Sequence, residues 1–294
     1  MSCGDCTRDE RLVTSDRGRP DPAGRAEGSG LPVGDLLDSS TVTVDLPVPA
    51  SALAIGAHPD DIEFGAGATL AKWAAAGCRV HHLVLTDGSK GSWDPDEDLA
   101  ELVAARQREC RAAASCIDGM PGLPQGGDRV QFLGRVDGEL DNDHTTRRDV
   151  ARVIRAVRPE VVLGHDPWRR YRLHPDHRAA GYLTLDALVG ARDPHFFGDI
   201  GLEQHRPDAL LLWEPDLPNH VERVDAFAEA KVDALLCHHS QLGTTMGLDE
   251  VEGPDTVVHP GRTTFADRIG WQLAQHGRLA RLDAGEAFHL MVGL

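Results

Sequence analysis

The small, apolar run Ser51-Ala52-Leu53-Ala54-Ile55 leads directly into Gly56-Ala57-His58-Pro59-Asp60-Asp61-Ile62-Glu63, and a helix-like stretch follows near Gly65. An apolar run of this length, closed by turn residues, reads as a strand buried on both faces. The pattern recurs. Strand-like segments lie at 51–57, Arg79 to Thr86, Arg129 to Leu133 and Glu160 to His165. Between them are Ala-rich or amphipathic helical runs at Gly65 to Ala76, Leu99 to Ile117 and Thr145 to Val157. Strand and helix in alternation leave few folds open, because parallel strands need long crossovers and those crossovers are right-handed. The expected class is α/β, with a mostly parallel sheet and helices on both faces.

Beyond Gly164 the pattern loosens. A helix is expected from about Pro175 to Leu188, a buried strand from Asp208 to Trp213, and helices over Phe227 to His238 and Phe265 to Ala280. Ala287 to Val292 reads as a short strand. Residues 1–40 are rich in Gly, Pro, Asp, Arg and Ser without apolar periodicity, and are expected to form a disordered tail ahead of a single domain spanning 41–294. The net charge of −17 opposes a nucleic acid or an anionic membrane as partner. No apolar run reaches the length of a membrane span, and the first ten residues lack the apolar core of a secretory signal. The expected location is cytoplasmic, with no integral membrane segment and with a homo-oligomer left open. Of the six cysteines, those at 78, 110, 116 and 237 fall in or near core elements and read as small buried thiols. Cys3 and Cys6 form a C-x-x-C, but no second ligand pair lies near them.

The polar residues at the strand exits carry the chemistry. His58 and Asp61 sit on a strand-to-helix turn, where open α/β sheets place ligands, and are suited to gripping one cation. Asp60, between them, can face a water on that cation. His174-Pro175-Asp176-His177 follows another strand exit, Gly164-His165-Asp166-Pro167, and offers a third ligand. Two His and one carboxylate with an open position form a catalytic zinc arrangement. Simpler readings explain less. A helix cap accounts for one of Asp60 and Asp61 but not for His58 or Glu63, and adjacent carboxylates repel without a cation or proton. His174 and His177 can be read as surface histidines among the chain's 15, and His165 as a residue that shapes the pocket. Asp176 has two readings, a cap or a carboxylate that orients an imidazole. Gly65-Ala66-Gly67-Ala68 lacks the third glycine of a dinucleotide fingerprint, and no G-x-S-x-G elbow is present.

Ala57-His58-Pro59-Asp60-Asp61, then Gly65-x-Gly67-x-Thr69-Leu70, and later His174-Pro175-Asp176-His177 resemble the PIG-L/LmbE-like family of zinc-dependent de-N-acetylases. Thr86-Asp87-Gly88 matches the family's second strand exit, and Arg106 with Glu109 fits its Arg-x-x-Glu helix. Lys231 with His239-Ser240-Gln241 resembles its late Lys…His-x-Ser-Gln block, so the likeness spans roughly 50–245. The resemblance implies a Rossmann-like fold. It also implies Zn2+, or Fe2+ or another divalent metal, on His58, Asp61 and His177, with Asp60 as general base. By the same resemblance His174 would stabilise the oxyanion and Asp176 would tune it.

The implied substrate is an N-acetylated amino sugar or a sugar-bearing small molecule that loses its acetyl group. Alternatives are a zinc amidase cleaving a larger acyl or cysteinyl-sugar conjugate, and a non-catalytic metal- or sugar-binding domain. Tyr171 lies three residues before His174, where some family members that act on thiol-cofactor precursors carry a tyrosine close to this motif. Trp168, Arg169, Arg170 and Arg172 form a rim with two readings, a platform for a sugar or anion and a solvated loop. The tail makes the first testable point. A truncation starting near Thr41 should stay soluble and keep its turnover, measured as amine release from an acetylated sugar; lost turnover with an intact fold would place the tail in the site.

Overall fold

The computed structural model describes residues 42–118, 129–248, 251–252, 257–258 and 261–294, so the expected tail, with Cys3 and Cys6, lies outside the described residues. In chain order the elements are β1 (Thr43–Val44), β2 (Ser51–Gly56), α1 (Asp61–Ala75), β3 (Arg79–Thr86), α2 (Leu99–Ile117), β4 (Val130–Arg135), α3 (His144–Val157) and β5 (Val161–His165). There follow α4 (Pro175–Arg192), β6 (Ala209–Trp213), β7 (His220–Arg223), α5 (Ala228–Leu236), the short ribbon β8 (Val251–Glu252) and β9 (Val257–Val258), α6 (Arg262–Arg278) and β10 (Gly285–Val292). The eight-stranded sheet runs β1-β7-β10-β6-β5-β2-β3-β4. It is parallel except for β10, which is antiparallel to both β6 and β7.

Strand β2 shows why the early pattern was decisive. Ala52 and Ala54 point into one apolar layer with Ile62 and Leu70 of α1, Ala113 and Ile117 of α2, and Ala234 of α5. Leu53 and Ile55 point into the opposite layer with Val150 and Ile154 of α3 and Leu183 and Leu188 of α4. A strand covered on both sides is apolar on both faces, as this one is from Ala52 to Ile55. The chain steps from β2 outward to β3 and β4, then returns to β5 and β6 on the other side of β2. The reversal lies between β2 and β5, which pair in register at Ala54 and Leu163. A crevice opens at such a point beyond the carboxyl ends of the strands.

The structure departs from the expected elements in several places. Helix α1 begins at Asp61 rather than near Gly65, because Asp60 takes a left-handed conformation (φ 105°) that turns the chain abruptly out of the strand exit. Strands β1 and β7 were not expected. Strand β7 hides a charge, since buried Glu222 accepts from His220 and is ion-paired with Lys72. Cys78 and Cys110 are buried as expected. Cys116 is exposed and Cys237 half-buried, because they lie at the ends of α2 and α5, where their sulfurs approach to 3.4 Å. That contact draws the Cys116 thiol down to about 7. No helix among the described residues is long and apolar enough to cross a membrane.

Helix α1 is clamped by a buried ion pair. Lys231 on α5 meets Glu286 on β10 at 2.6 Å, with both side chains 2% exposed. Lys231 also donates to the Phe64 carbonyl, and Glu286 accepts from the backbone N–H groups of Ala68 and Thr69. Removing one partner of such a pair strands the other charge and costs about 3–5 kcal/mol. Lys231→Met should show a loss of that order in urea unfolding, and adding Glu286→Gln should recover part of it.

Candidate functional site

The exits of β2, β4 and β5 and the entry of α4 bring the polar residues together. His58 is buried, and its ring has two differently occupied edges. Nε2 lies 3.1 Å from Asp137 Oδ1 and 3.2 Å from Asp176 Oδ2, while Nδ1 lies 3.3 Å from Asp61 Oδ2 and 3.2 Å from His177 Nε2. Carboxylates can only accept and they face both edges; two of the three meet Nε2, so a neutral His58 with its proton there keeps the Nδ1 lone pair for a cation. His177 Nε2 is in turn 3.2 Å from Asp61 Oδ1. A tetrahedral centre with ligand bonds of about 2.0–2.1 Å separates neighbouring donors by about 3.3 Å. His58 Nδ1 and His177 Nε2 match that spacing, and Asp61 reaches each of them with a different oxygen, Oδ2 toward His58 and Oδ1 toward His177.

Three overlapping groups of side chains could hold a metal here: His58 with His174 and His177, Asp61 with His165 and His177, and His58 with Asp137 and Asp176. The electrostatics favour a cation. Burial disfavours charge on His58, yet the hydrogen bonds accepted from it by Asp137, Asp176 and Asp61 outweigh this and raise its pKa well above the ordinary value. Burial also opposes ionisation of Asp61, but His177 and His165 hold its pKa well below the usual range.

Asp60 stands apart from this cluster. It precedes α1, but its side chain makes no capping bond, so the cap reading fails for it. Its carboxylate is buried, with Arg106 Nη2 at 3.6 Å. Burial pushes its pKa up to about 6 against the pull of Arg106. A non-glycine residue at such a φ carries strain, and strain of this kind gathers at functional sites. Asp60 lines the cleft together with His58, Asp61, His174 and His177.

The remaining residues support these. Asp176 accepts from Gly138 N–H (2.6 Å) and Leu140 N–H (3.2 Å) and directs its carboxylate at His58. Its backbone N–H donates to His174 Nδ1 at 3.3 Å, so the helix-cap contact belongs to His174. Burial, then the neighbouring His58 and His177, lower the pKa of His174. Arg106 donates to the carbonyls of Pro59 (2.7 Å) and Gly88 (2.8 Å), tying the exits of β2 and β3 together. Its seat needs glycine, since a Cβ on Gly91 would fall 2.3 Å from Nη1. Glu109 accepts from Ser240, and Gln241 donates to Gly91, so the late block packs behind the site. From that block His238 reaches buried Glu63 at 3.4 Å. The rim arginines are ion-paired within the protein: Arg169 and Arg172 share Glu214, and Arg170 pairs with Asp216. Trp168 and Tyr171 remain exposed.

A family model described as PIG-L, GlcNAc-PI de-N-acetylase, matches residues 53–188. The chain is also 35% identical over 192 residues to a diacetylchitobiose deacetylase of Thermococcus kodakarensis, covering 64% of this chain and 69% of that protein. The chain belongs to the PIG-L family. It is further similar to a 1D-myo-inositol 2-acetamido-2-deoxy-alpha-D-glucopyranoside deacetylase of Thermomonospora curvata, 33% identical over 165 residues, which are 48% of this chain. The match spans about half of that relative, 53% of its length. Among solved structures, the N,N'-diacetylchitobiose deacetylase from Pyrococcus horikoshii superposes with a TM-score of 0.70 at 26% identity, covering 83% of this chain and 85% of that one. The fold of this PIG-L chain is Rossmann-like, as its neighbours' is.

Sequence reasoning missed Asp137, Trp213 and the Arg172–Glu214 pair, and gave His165 only a shaping role. Asp137 carried a usable signal, because Asp137-Gly138 closes a strand just as Asp87-Gly88 does. For Trp213 and Glu214, at the end of an apolar strand, no such signal exists. The brace at Arg106 is open to test. Arg106→Met removes the donor from two buried carbonyls, and bonds to a charged group are worth about 1.5–3 kcal/mol each. A loss of about 3 kcal/mol in unfolding free energy is expected, measured by urea denaturation.

Proposed function

We propose that residues 41–294 act as one metal-dependent de-N-acetylase domain, hydrolysing the acetamide of an N-acetylated amino sugar or a small molecule bearing one, with zinc as the metal. The observation that carries this reading is the approach of His58 Nδ1 and His177 Nε2 to 3.2 Å, with a carboxylate oxygen of Asp61 within 3.3 Å of each, beside a strained, buried Asp60. The names of the relatives give the substrate class: each acts on an acetylated sugar. The rim, with its arginines paired to Glu214 and Asp216 and its Trp168 exposed, offers an aromatic face on which a sugar ring can stack.

His58, through Nδ1, Asp61 and His177, through Nε2, would hold the metal. When bound, a metal of this kind supplies Lewis acidity toward an amide oxygen and makes water a nucleophile near neutral pH. Asp137 and Asp176 accept the His58 Nε2 proton and fix that ring's orientation. Asp60 is the general base that takes the proton from the attacking water. Burial raises its basicity while Arg106 keeps it within reach of ionisation. His174 accepts at Nδ1 from Asp176 N–H, so a neutral ring carries its proton on Nε2 and donates one hydrogen bond to the developing oxyanion. Asp60, protonated in the first step, then passes its proton to the departing amine.

Asp60→Asn separates chemistry from metal binding. It should keep one equivalent of zinc by elemental analysis, while kcat for amine release from an N-acetylated chitooligosaccharide falls by about two to four orders of magnitude. Near wild-type turnover would remove Asp60 from the mechanism, and an empty site would recast it as a ligand. In the same assay His177→Ala should lose the metal.

A further inference from the structure

Three imidazoles, His58, His165 and His177, crowd around Asp61, and which of them can turn a lone pair toward a cation depends on where each carries its proton. Indole and guanidinium N–H groups can only donate. His165 Nδ1 faces one of each, Trp213 Nε1 at 3.0 Å and Arg172 Nη1 at 3.3 Å. Its Nδ1 must therefore hold the lone pair, and the proton lies on Nε2. Facing Nε2 is Asp61 Oδ2 at 3.3 Å, an acceptor. The Ala57 N–H points its donor at Nε2 from 3.4 Å and so opposes this tautomer, but it is longer than either donor contact on Nδ1 and stands alone against the two.

The donor on His165 cannot withdraw. Trp213 is 1% exposed at the end of β6, and its ring lies so close to α1 that a Cβ on Gly65 would fall 2.5 Å from it. His177 differs. Its Nδ1 accepts from Arg172 at 2.9 Å, but Arg172 belongs to the segment between β5 and α4 and is held by a half-exposed Glu214. In this geometry the His177 proton therefore also lies on Nε2, and binding a metal there requires only that one guanidinium, 6% exposed, turn away, whereas His165 would have to lose Trp213 as well. His165 has no comparable freedom.

We propose that His165 is a positioning residue rather than a metal ligand: locked in the Nε2–H tautomer by Trp213, it donates to Asp61 Oδ2 and holds that carboxylate with Oδ1 toward the metal. This assigns Gly65, Trp213 and His165 to one relay that ends on a metal ligand, and it rests on the metal centre proposed above. Loss of such an outer partner typically lowers metal affinity about 10- to 100-fold without abolishing binding.

The test measures zinc dissociation constants by competition with a chromophoric chelator, with stoichiometry from elemental analysis and folding checked by thermal melts. Trp213→Phe keeps the bulk against Gly65 and removes the N–H. It should weaken zinc binding about 10- to 100-fold at one equivalent per chain, as should His165→Phe. His165→Gln restores a donor that needs no tautomeric lock, so in that background Trp213→Phe should change the constant less than about threefold. Wild-type affinity in both Trp213→Phe and His165→Phe would overturn the proposal, as would an equal cost of Trp213→Phe in the two backgrounds. Loss of the bound equivalent in His165→Phe would make His165 a ligand, overturning the proposal while leaving the metal centre standing. A wild-type protein that takes up no zinc while His165→Phe melts normally would overturn the metal centre itself, and the positioning role with it.

Discussion

The close seating of helix α1 is the constraint on which the rest of the structure depends. Its first turn carries Asp61 and follows directly on Asp60, so a displacement of the helix displaces both carboxylates. Two glycines allow the approach. Gly65 leaves room for the Trp213 ring, and Gly67 leaves room for the Lys231 stem, which a Cβ would meet at 3.3 Å. The motif that invites a dinucleotide reading is thus a packing device. Larger residues at either place would lift the helix from the sheet or force the ion pair beneath it to open.

That seating places charge where the fold disfavours it. Asp61, Asp137 and Asp176 surround one imidazole, and Asp60 is buried beside them. Burial of several carboxylates is tolerated only with compensating positive charge or protons. The protein supplies part of this through Arg106 behind Asp60 and through backbone N–H groups on Asp176 and Asp137. The imidazoles of His58, His165 and His177 face the remaining carboxylate charge at the centre, and the divalent cation proposed above would complete its compensation. Around this centre the cleft mouth is arranged differently. Its arginines are paired with Glu214 and Asp216, so it offers aromatic surface and hydrogen-bonding groups more than net charge.

The site was legible in the sequence where ligands lie close together in the chain. His58 to Asp61 and His174 to His177 are each a turn apart, and the strand exits that carry them could be read from apolar runs alone. The parallel sheet was legible for the same reason, since Leu53 and Ile55 alternate with Ala52 and Ala54 between two covered faces. Illegible were residues whose role depends on a partner far along the chain. Asp176 reads as a partner of its neighbour His174, yet its carboxylate meets His58, 118 residues away in sequence. The rim arginines read as free cations until the segment at 214–216 folds against them.

By itself, then, the sequence determined the α/β alternation, the strand exits that bear the chemistry, and the identity of the residue types able to hold a metal. Those properties follow from local periodicity and from the chemistry of side chains within one turn of each other. Tertiary structure alone decided which edge of each imidazole faces the centre, because a ring's proton is placed by whatever donor or acceptor packs against its other nitrogen. For His58 that partner is Asp137 with Asp176, and for His165 it is Trp213; each comes from a different strand exit or helix entry. The same sheet register that brings those exits together sets the tautomers, and no spacing within the chain encodes it.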